Sequence, residues 1–142
     1  MEVKIKYHDT EIEKMGLAQH GDWIDLRAAE DVVMVPGEFR IISLGVSMKL
    51  PDGYEAHLAP RSSTYKKWGI LMANSIGIID EAYCGDNDVW GFAAYAPNGA
   101  TIHKGDRIAQ FRILKKMEPI TFIEVKKMEE LSRGGFGSTG EA

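Results

Sequence analysis

The chain has 142 residues, of which 44% are hydrophobic and 27% charged, and its formal net charge is −4. That length fits one ordinary domain that can bury its own core, with the composition of a globular protein. The acidic balance speaks against a nucleic-acid binder, and no apolar run approaches the roughly 20 residues of a membrane helix. The opening run Met1-Glu2-Val3-Lys4-Ile5-Lys6 alternates charged and apolar residues, so no secretory segment is expected. Cys84 is the only cysteine, which rules out an intrachain disulfide and suits a reducing cytoplasm. His8, His20, His57 and His103 are scattered without metal-ligand spacing and read as surface or packing residues.

Along the chain, short apolar or alternating runs recur between turn residues. Strands are predicted at Val3 to Tyr7, Val32 to Val35, Phe39 to Leu50, Tyr54 to Ala59 and Gly69 to Met72. Further strands follow at Gly77 to Ile79, Val89 to Tyr95, Arg107 to Leu114 and Ile120 to Val125. Pro36-Gly37, Pro51-Asp52-Gly53, Gly85-Asp86-Asn87, Pro97-Asn98-Gly99 and Lys104-Gly105-Asp106 supply the turns. This pattern predicts an all-β sandwich, barrel or jelly roll. One or two helical turns are expected at Ser63 to Trp68, capped by Ser62 or Ser63, and a short helical piece at Met128 to Leu131. No repeat or linker divides the chain, which reads as one domain, 1–142. The glycine-rich stretch Arg133 to Ala142 cannot hold a strand by propensity and reads alone as a mobile tail.

Five segments could carry chemistry, and each has a plainer alternative. Pro60-Arg61-Ser62-Ser63 offers a guanidinium and two hydroxyls for phosphate, or is a surface turn. In Asn74 to Gly85, Asp80 follows an apolar strand and could order a water, while Tyr83 offers a flat face for a sugar or base. The same residues could simply turn a hairpin. In Lys104 to Phe111, Gln110 could donate to a phosphate oxygen, or merely occupy the wet face of a strand. Gly134 to Gly140 could form an anion nest, with hydroxyls from Ser138 and Thr139 and a stacking ring from Phe136, or be disordered. Asp25, between Ile24 and Leu26, could take the outer sphere of a hydrated Mg2+, or face solvent at a strand edge.

The order of these segments is more telling than any one of them. Asp25-Leu26-Arg27-Ala28, Pro60-Arg61-Ser62-Ser63, Asn74 through Gly85, Gly105-Asp106-Arg107-Ile108-Ala109-Gln110 and Gly134-Gly135-Phe136-Gly137-Ser138-Thr139-Gly140 resemble, in sequence, the five motifs of the trimeric dUTPase family. The resemblance spans essentially the whole chain and is nearest to members from Gram-positive bacteria and their phages. It implies a jelly roll or distorted β-barrel, assembled as a homotrimer with active sites between subunits. It further implies Mg2+-dependent hydrolysis of dUTP to dUMP and pyrophosphate, with residues 132–142 closing as a lid.

By the same resemblance, Asp80 positions and activates the water that attacks the α-phosphorus, and hydrogen-bonds the 3′-hydroxyl. Tyr83 packs under the sugar and excludes a 2′-hydroxyl. Asn74 and the neighbouring backbone, with Gly77 and Ile79, hold the uracil. Arg61, Ser62, Ser63 and Gln110 hold the phosphates, and Asp25 touches the waters of the magnesium. Phe136 covers the uracil, while Gly137, Ser138 and Thr139 close on the γ-phosphate with Arg133 nearby. Three positions depart from the family pattern. Arg133 stands three residues before Phe136 rather than five, Cys84 replaces a charged or polar residue, and Trp23 precedes Ile24-Asp25 where a small residue and glycine are usual. Two other readings stand beside this one. One is a phage-type enzyme that also binds a regulatory protein, and the other is a dCTP deaminase, which shares the fold and the Arg-Ser-Ser cradle.

Overall fold

A computed structural model describes residues 1–16 and 22–135. Among them the chain forms β1 (Lys4–Tyr7), β2 (Ile24–Arg27), β3 (Val32–Met34), β4 (Glu38–Ser43), β5 (Val46–Lys49) and β6 (Tyr54–Pro60). A five-residue helix α1 (Thr64–Trp68) follows, then β7 (Leu71–Met72), β8 (Gly77–Ile79), β9 (Gly91–Ala96), β10 (Ala100–Ile102) and β11 (Arg107–Lys115). Every pairing is antiparallel. One sheet runs β2-β11-β6-β8, a second β4-β9-β7, and β1-β5 and β10-β3 form two further pairs.

The alternation read from sequence is what buries the core. Ala56 and Leu58 of β6, Phe92, Ala94 and Ala96 of β9, and Phe111 of β11 all point inward. Trp90 and Phe111 meet edge to face at 5.1 Å in the centre. The single run predicted over Phe39 to Leu50 is split into β4 and β5 at Gly45. Its φ of 69° and the Cβ of Ala29, only 2.7 Å from where a side chain would begin, admit nothing larger there.

Three sequence expectations need correction. Ile120 to Val125 forms no strand, and Met128 to Leu131 forms no helix. From 115 to 134 every residue is exposed, including Phe122 at 89% and Leu131 at 96%. Within one chain this stretch meets no strand edge, so its apolar alternation has nothing to pair with. The cap of α1 also differs. Ser63 occupies the cap position without a side-chain cap bond, and the hydroxyl of Thr64 instead accepts from the Arg61 N–H at 2.8 Å. β10, not expected from sequence, is three residues long and pairs with β3.

Candidate functional site

The strand register brings three of the five segments together. Asp25 on β2 stands opposite Gln110 on β11, and Gln110 stands opposite Ala59 on β6. A bulge at Ile108 shifts the β2–β11 register between Arg107 and Ala109. In a regular strand, residues three apart face opposite sides. The extra residue puts Arg107 and Gln110 on the same side as Asp25, while Ile108 and Ala109 are both buried. The motif therefore needs its Ile-Ala pair as much as its polar residues.

At this end of the sheet Asp25 holds two guanidiniums. Its Oδ1 lies 2.9 Å from Arg61 Nε, and its Oδ2 lies 3.4 Å from Arg107 Nη1. Arg61 Nη1 also donates to the Arg107 carbonyl at 3.2 Å, and Gln110 Nε2 donates to the Pro60 carbonyl at 3.1 Å. One carboxylate against two guanidiniums leaves a local positive surplus on a chain that is acidic overall. Sequence assigns Arg107 no role of its own, and its pairing with Asp25 depends on the bulge, which local pattern does not reveal. Ser62, beside Arg61, is exposed.

The turn before β11 is laced to the end of β2. Arg27 Nη1 donates to the Gly105 carbonyl at 2.8 Å, the Gly105 N–H donates to the Ala28 carbonyl, and the Ala28 N–H donates to the Asp106 carbonyl. Lys104 Nζ reaches Asp9 at 2.8 Å and Glu11 at 3.3 Å, so the N-terminal segment is clipped onto the same turn. The hydrogen bond from Lys104 holds the Asp9 carboxyl below the usual carboxylate range, and the same bond pushes the Lys104 ammonium up. The sign of each shift sets its window. The clip is intact at neutral pH, weakens as pH falls through the lowered Asp9 value, and weakens again as pH rises through the raised Lys104 value.

Asp80 and Tyr83 lie elsewhere. Ile79 pairs with Ala56, so Asp80 leaves β8 beside Glu55, at the start of β6. Arg61 follows the far end of that strand. Six residues at about 3.3 Å each put the two positions roughly 20 Å apart in one chain. Asp80 is exposed, and its Oδ2 accepts the Ala82 N–H at 2.8 Å, which shapes the turn. Tyr83 is half-exposed and anchored through its hydroxyl, which donates to the Val89 carbonyl at 3.0 Å. Gly77 lies so close to Leu58 that a Cβ would meet its Cβ at 3.0 Å, which sets β8 tightly on β6. Asn74, exposed, sits in the tight turn before β8, where Ser75 takes a left-handed φ of 62°.

Glu81, which sequence reasoning passed over, braces this end. It accepts the Gly53 N–H and faces Lys116 Nζ at 3.8 Å, and the Lys116 N–H donates to the Gly53 carbonyl. Arg133 lies exposed in the extended segment after β11. Phe136, Gly137, Ser138 and Thr139 fall outside the described residues.

Fold and site together define a class: an all-β, jelly-roll-like domain whose candidate site residues are divided between two ends of one sheet. Comparison with known proteins narrows it. The dUTPase family model matches residues 22–140. A prophage-derived deoxyuridine 5′-triphosphate nucleotidohydrolase, YosS of Bacillus subtilis strain 168, is 56% identical over 140 residues, covering 99% of both chains. The deoxyuridine 5′-triphosphate nucleotidohydrolase of Thermobifida fusca is 36% identical over 97% of this chain and 78% of its own. Among solved structures, a dUTPase of Staphylococcus bacteriophage 80alpha superposes with a TM-score of 0.80 at 23% identity, covering 98% of each chain. The dUTPase of Streptococcus mutans gives 0.71 at 20% identity, over 82% of this chain and 98% of that one. The chain belongs to the dUTPase family, and its fold is the jelly roll of that family.

Proposed function

We propose that this protein is a dUTP diphosphatase, hydrolysing dUTP to dUMP and pyrophosphate at sites completed between copies of the chain in a homotrimer. The observation that carries the reading is the division of the site. A general base must stand within hydrogen-bond reach of the water it activates, and guanidinium contacts to phosphate are about 2.7–2.9 Å. A gap of roughly 20 Å along β6 is too long for one chain to place both Asp80 and Arg61 on one triphosphate. Asp80 of one copy would therefore meet Arg61, Gln110 and Asp25 of another.

The surface supports assembly. Phe39, Tyr95 and Leu71 stand in one cross-strand row over β4, β9 and β7, at 56%, 39% and 45% exposure, with Ile41 beside them. The extended segment after β11 adds Met117, Ile120, Phe122, Ile123 and Val125. Apolar surface on this scale is costly in water and supports its burial against another copy of the chain. The same copies would bring the C-terminal residues 132–142 over a neighbour's nucleotide as a lid. Through them Arg133, Phe136, Gly137, Ser138 and Thr139 would reach the phosphates and uracil.

In the assembled site Asp80 accepts the proton of the attacking water. One of its oxygens is held by the Ala82 N–H, which restrains the carboxylate. Tyr83, pinned at its hydroxyl, offers its ring to the sugar. Asn74, with the backbone from Gly77 to Ile79, faces the base, and a site that complements uracil leaves groups unpaired with cytosine. Arg61, Ser62, Ser63 and Gln110 hold the phosphates and meet the charge that gathers on departing pyrophosphate.

The residues fit Mg2+ carried by the ligand. Among the described residues no group of three or more His, Cys, Asp or Glu could hold a metal ion, and Asp25 is a single carboxylate beside the phosphate-gripping Arg61. Magnesium keeps several waters and binds through one or two carboxylates plus substrate phosphates, which matches that set. Asp25 would take the outer sphere, and the ion would supply charge neutralisation at the triphosphate. A solved dUTPase of phage phi11 is described with a structural Mg(II) ion, at 21% identity to this chain. The regulatory role that the name of a phage 80alpha structure gives to phage dUTPases stays with those proteins. Among the described residues no helix is long and apolar enough to cross a membrane, and the exposed thiol of Cys84 suits a reducing cytoplasm.

Pyrophosphate release from dUTP, dCTP, dTTP and UTP in parallel tests the reading. dUTP is expected to be preferred over dCTP by roughly a hundredfold or more, since groups that pair with uracil are left unpaired by cytosine, and over UTP because the Tyr83 ring leaves no room for a 2′-hydroxyl. Chelating magnesium is expected to slow the reaction at least about tenfold. Equal rates on all four nucleotides, or ammonia release from dCTP, would contradict it.

A further inference from the structure

Thr64 is fully buried, and its hydroxyl is shared between two backbone groups. It accepts the Arg61 N–H at 2.8 Å and donates to the Ile108 carbonyl at 2.8 Å. Ile108 is the extra residue of the bulge. A carbonyl there has no regular ladder partner on β2, so without Thr64 it would be a buried acceptor left unpaired. One oxygen atom thus joins the segment that carries Arg61 to the segment that carries Arg107 and Gln110. Two weaker ties run alongside it, from Arg61 Nη1 to the Arg107 carbonyl and from Gln110 Nε2 to the Pro60 carbonyl. Those two use the ligand-facing groups themselves and can be exchanged for phosphate oxygens. The Thr64 link uses no group that a ligand would need, so it can persist when the site fills.

We propose that Thr64 is a positioning residue that fixes the spacing between Arg61 and Gln110, and through it the affinity for the distal phosphates of the triphosphate. The inference rests on the reading of Arg61 and Gln110 as phosphate-holding groups. Valine is nearly isosteric with threonine but can neither accept nor donate. Thr64→Val strands the Arg61 N–H and the Ile108 carbonyl in the interior, and the two segments must separate to reach water. A displacement of about 1 Å in a positioned site is enough to cost up to about a hundredfold.

The test compares binding of an imido analogue of dUTP and of dUMP by full-length wild type, Thr64→Val, Thr64→Ala and Thr64→Ser. Thr64→Val is expected to bind the analogue at least about tenfold more weakly, with dUMP affinity held within about threefold, because dUMP lacks the distal phosphates. Thr64→Ser keeps the oxygen and is expected to stay within about threefold of wild type for both ligands. Thr64→Ala carries the same expectation as valine and decides the matter if the valine chain does not fold. Unchanged analogue binding in the valine or alanine chain overturns the proposal. So does an equal loss for both ligands, or a serine chain as weak as valine, since either makes Thr64 a packing residue only. An Arg61→Ala chain measured alongside separates the two readings. If it binds the analogue like wild type, the phosphate role of Arg61 has failed, whatever Thr64 does.

Discussion

Asp80→Asn is expected to lower turnover of dUTP by roughly a hundred- to ten-thousand-fold, the range that one general base supplies. The change is nearly isosteric. Asparagine can still accept the Ala82 N–H through its amide oxygen, so the turn from Asp80 to Tyr83 should survive. What it cannot do is take a proton from water, because its remaining group is a donor. The loss should therefore fall on kcat, with the imido analogue of dUTP bound within about threefold of wild type. Single-turnover pyrophosphate release and calorimetric binding measure the two separately. Full-speed hydrolysis by the asparagine chain would remove Asp80 from the chemistry.

Arg61→Ala is expected to reduce kcat/KM by roughly a hundred- to a thousandfold, as when a preorganised charge-stabilising donor is removed. Its side chain is partly buried, and its guanidinium is held by Asp25 at 2.9 Å. That contact aims it before any ligand arrives. Arg61→Lys should recover little. An ammonium is a point charge without the planar fork, and it cannot hold Asp25 through one nitrogen while presenting others to a phosphate. Steady-state kinetics on the two variants checks this. Activity within about threefold of wild type in either chain would show that the phosphates are held elsewhere.

Much of the strand framework was legible because inward side chains alternate with outward ones. The limits of β8 match the predicted Gly77 to Ile79, and those of β6 and β11 differ from prediction by one residue. The failures have distinct causes. β10 is three residues long, too short for alternation to register, and exists because β3 offers it an edge. Ile120 to Val125 has a strand's composition, but no strand edge among the described residues lies against it. The cap of α1 was assigned to a serine by propensity, yet the buried hydroxyl of Thr64 holds the Arg61 N–H because the bulged Ile108 carbonyl needed a donor. The candidate residues could be picked out by their order, but their grouping could not. Local pattern carries no sign that Asp25 meets Arg61 and Arg107, or that Asp80 stands at the opposite end of β6.

The division of the site between chains can be measured by mixing. Asp80→Asn and Arg61→Ala chains, each nearly inactive, would be unfolded together and refolded as mixed oligomers. Where an Arg61→Ala chain lends its intact Asp80 to a site whose phosphates are held by an Asp80→Asn chain, that site has both groups. Random assembly should restore about a quarter of wild-type dUTP hydrolysis, since each intact group is supplied independently with even odds. If the mixture stays as inactive as its parents while each variant still assembles, Asp80 and Arg61 act within one chain. The account of a site built across subunits would then be wrong.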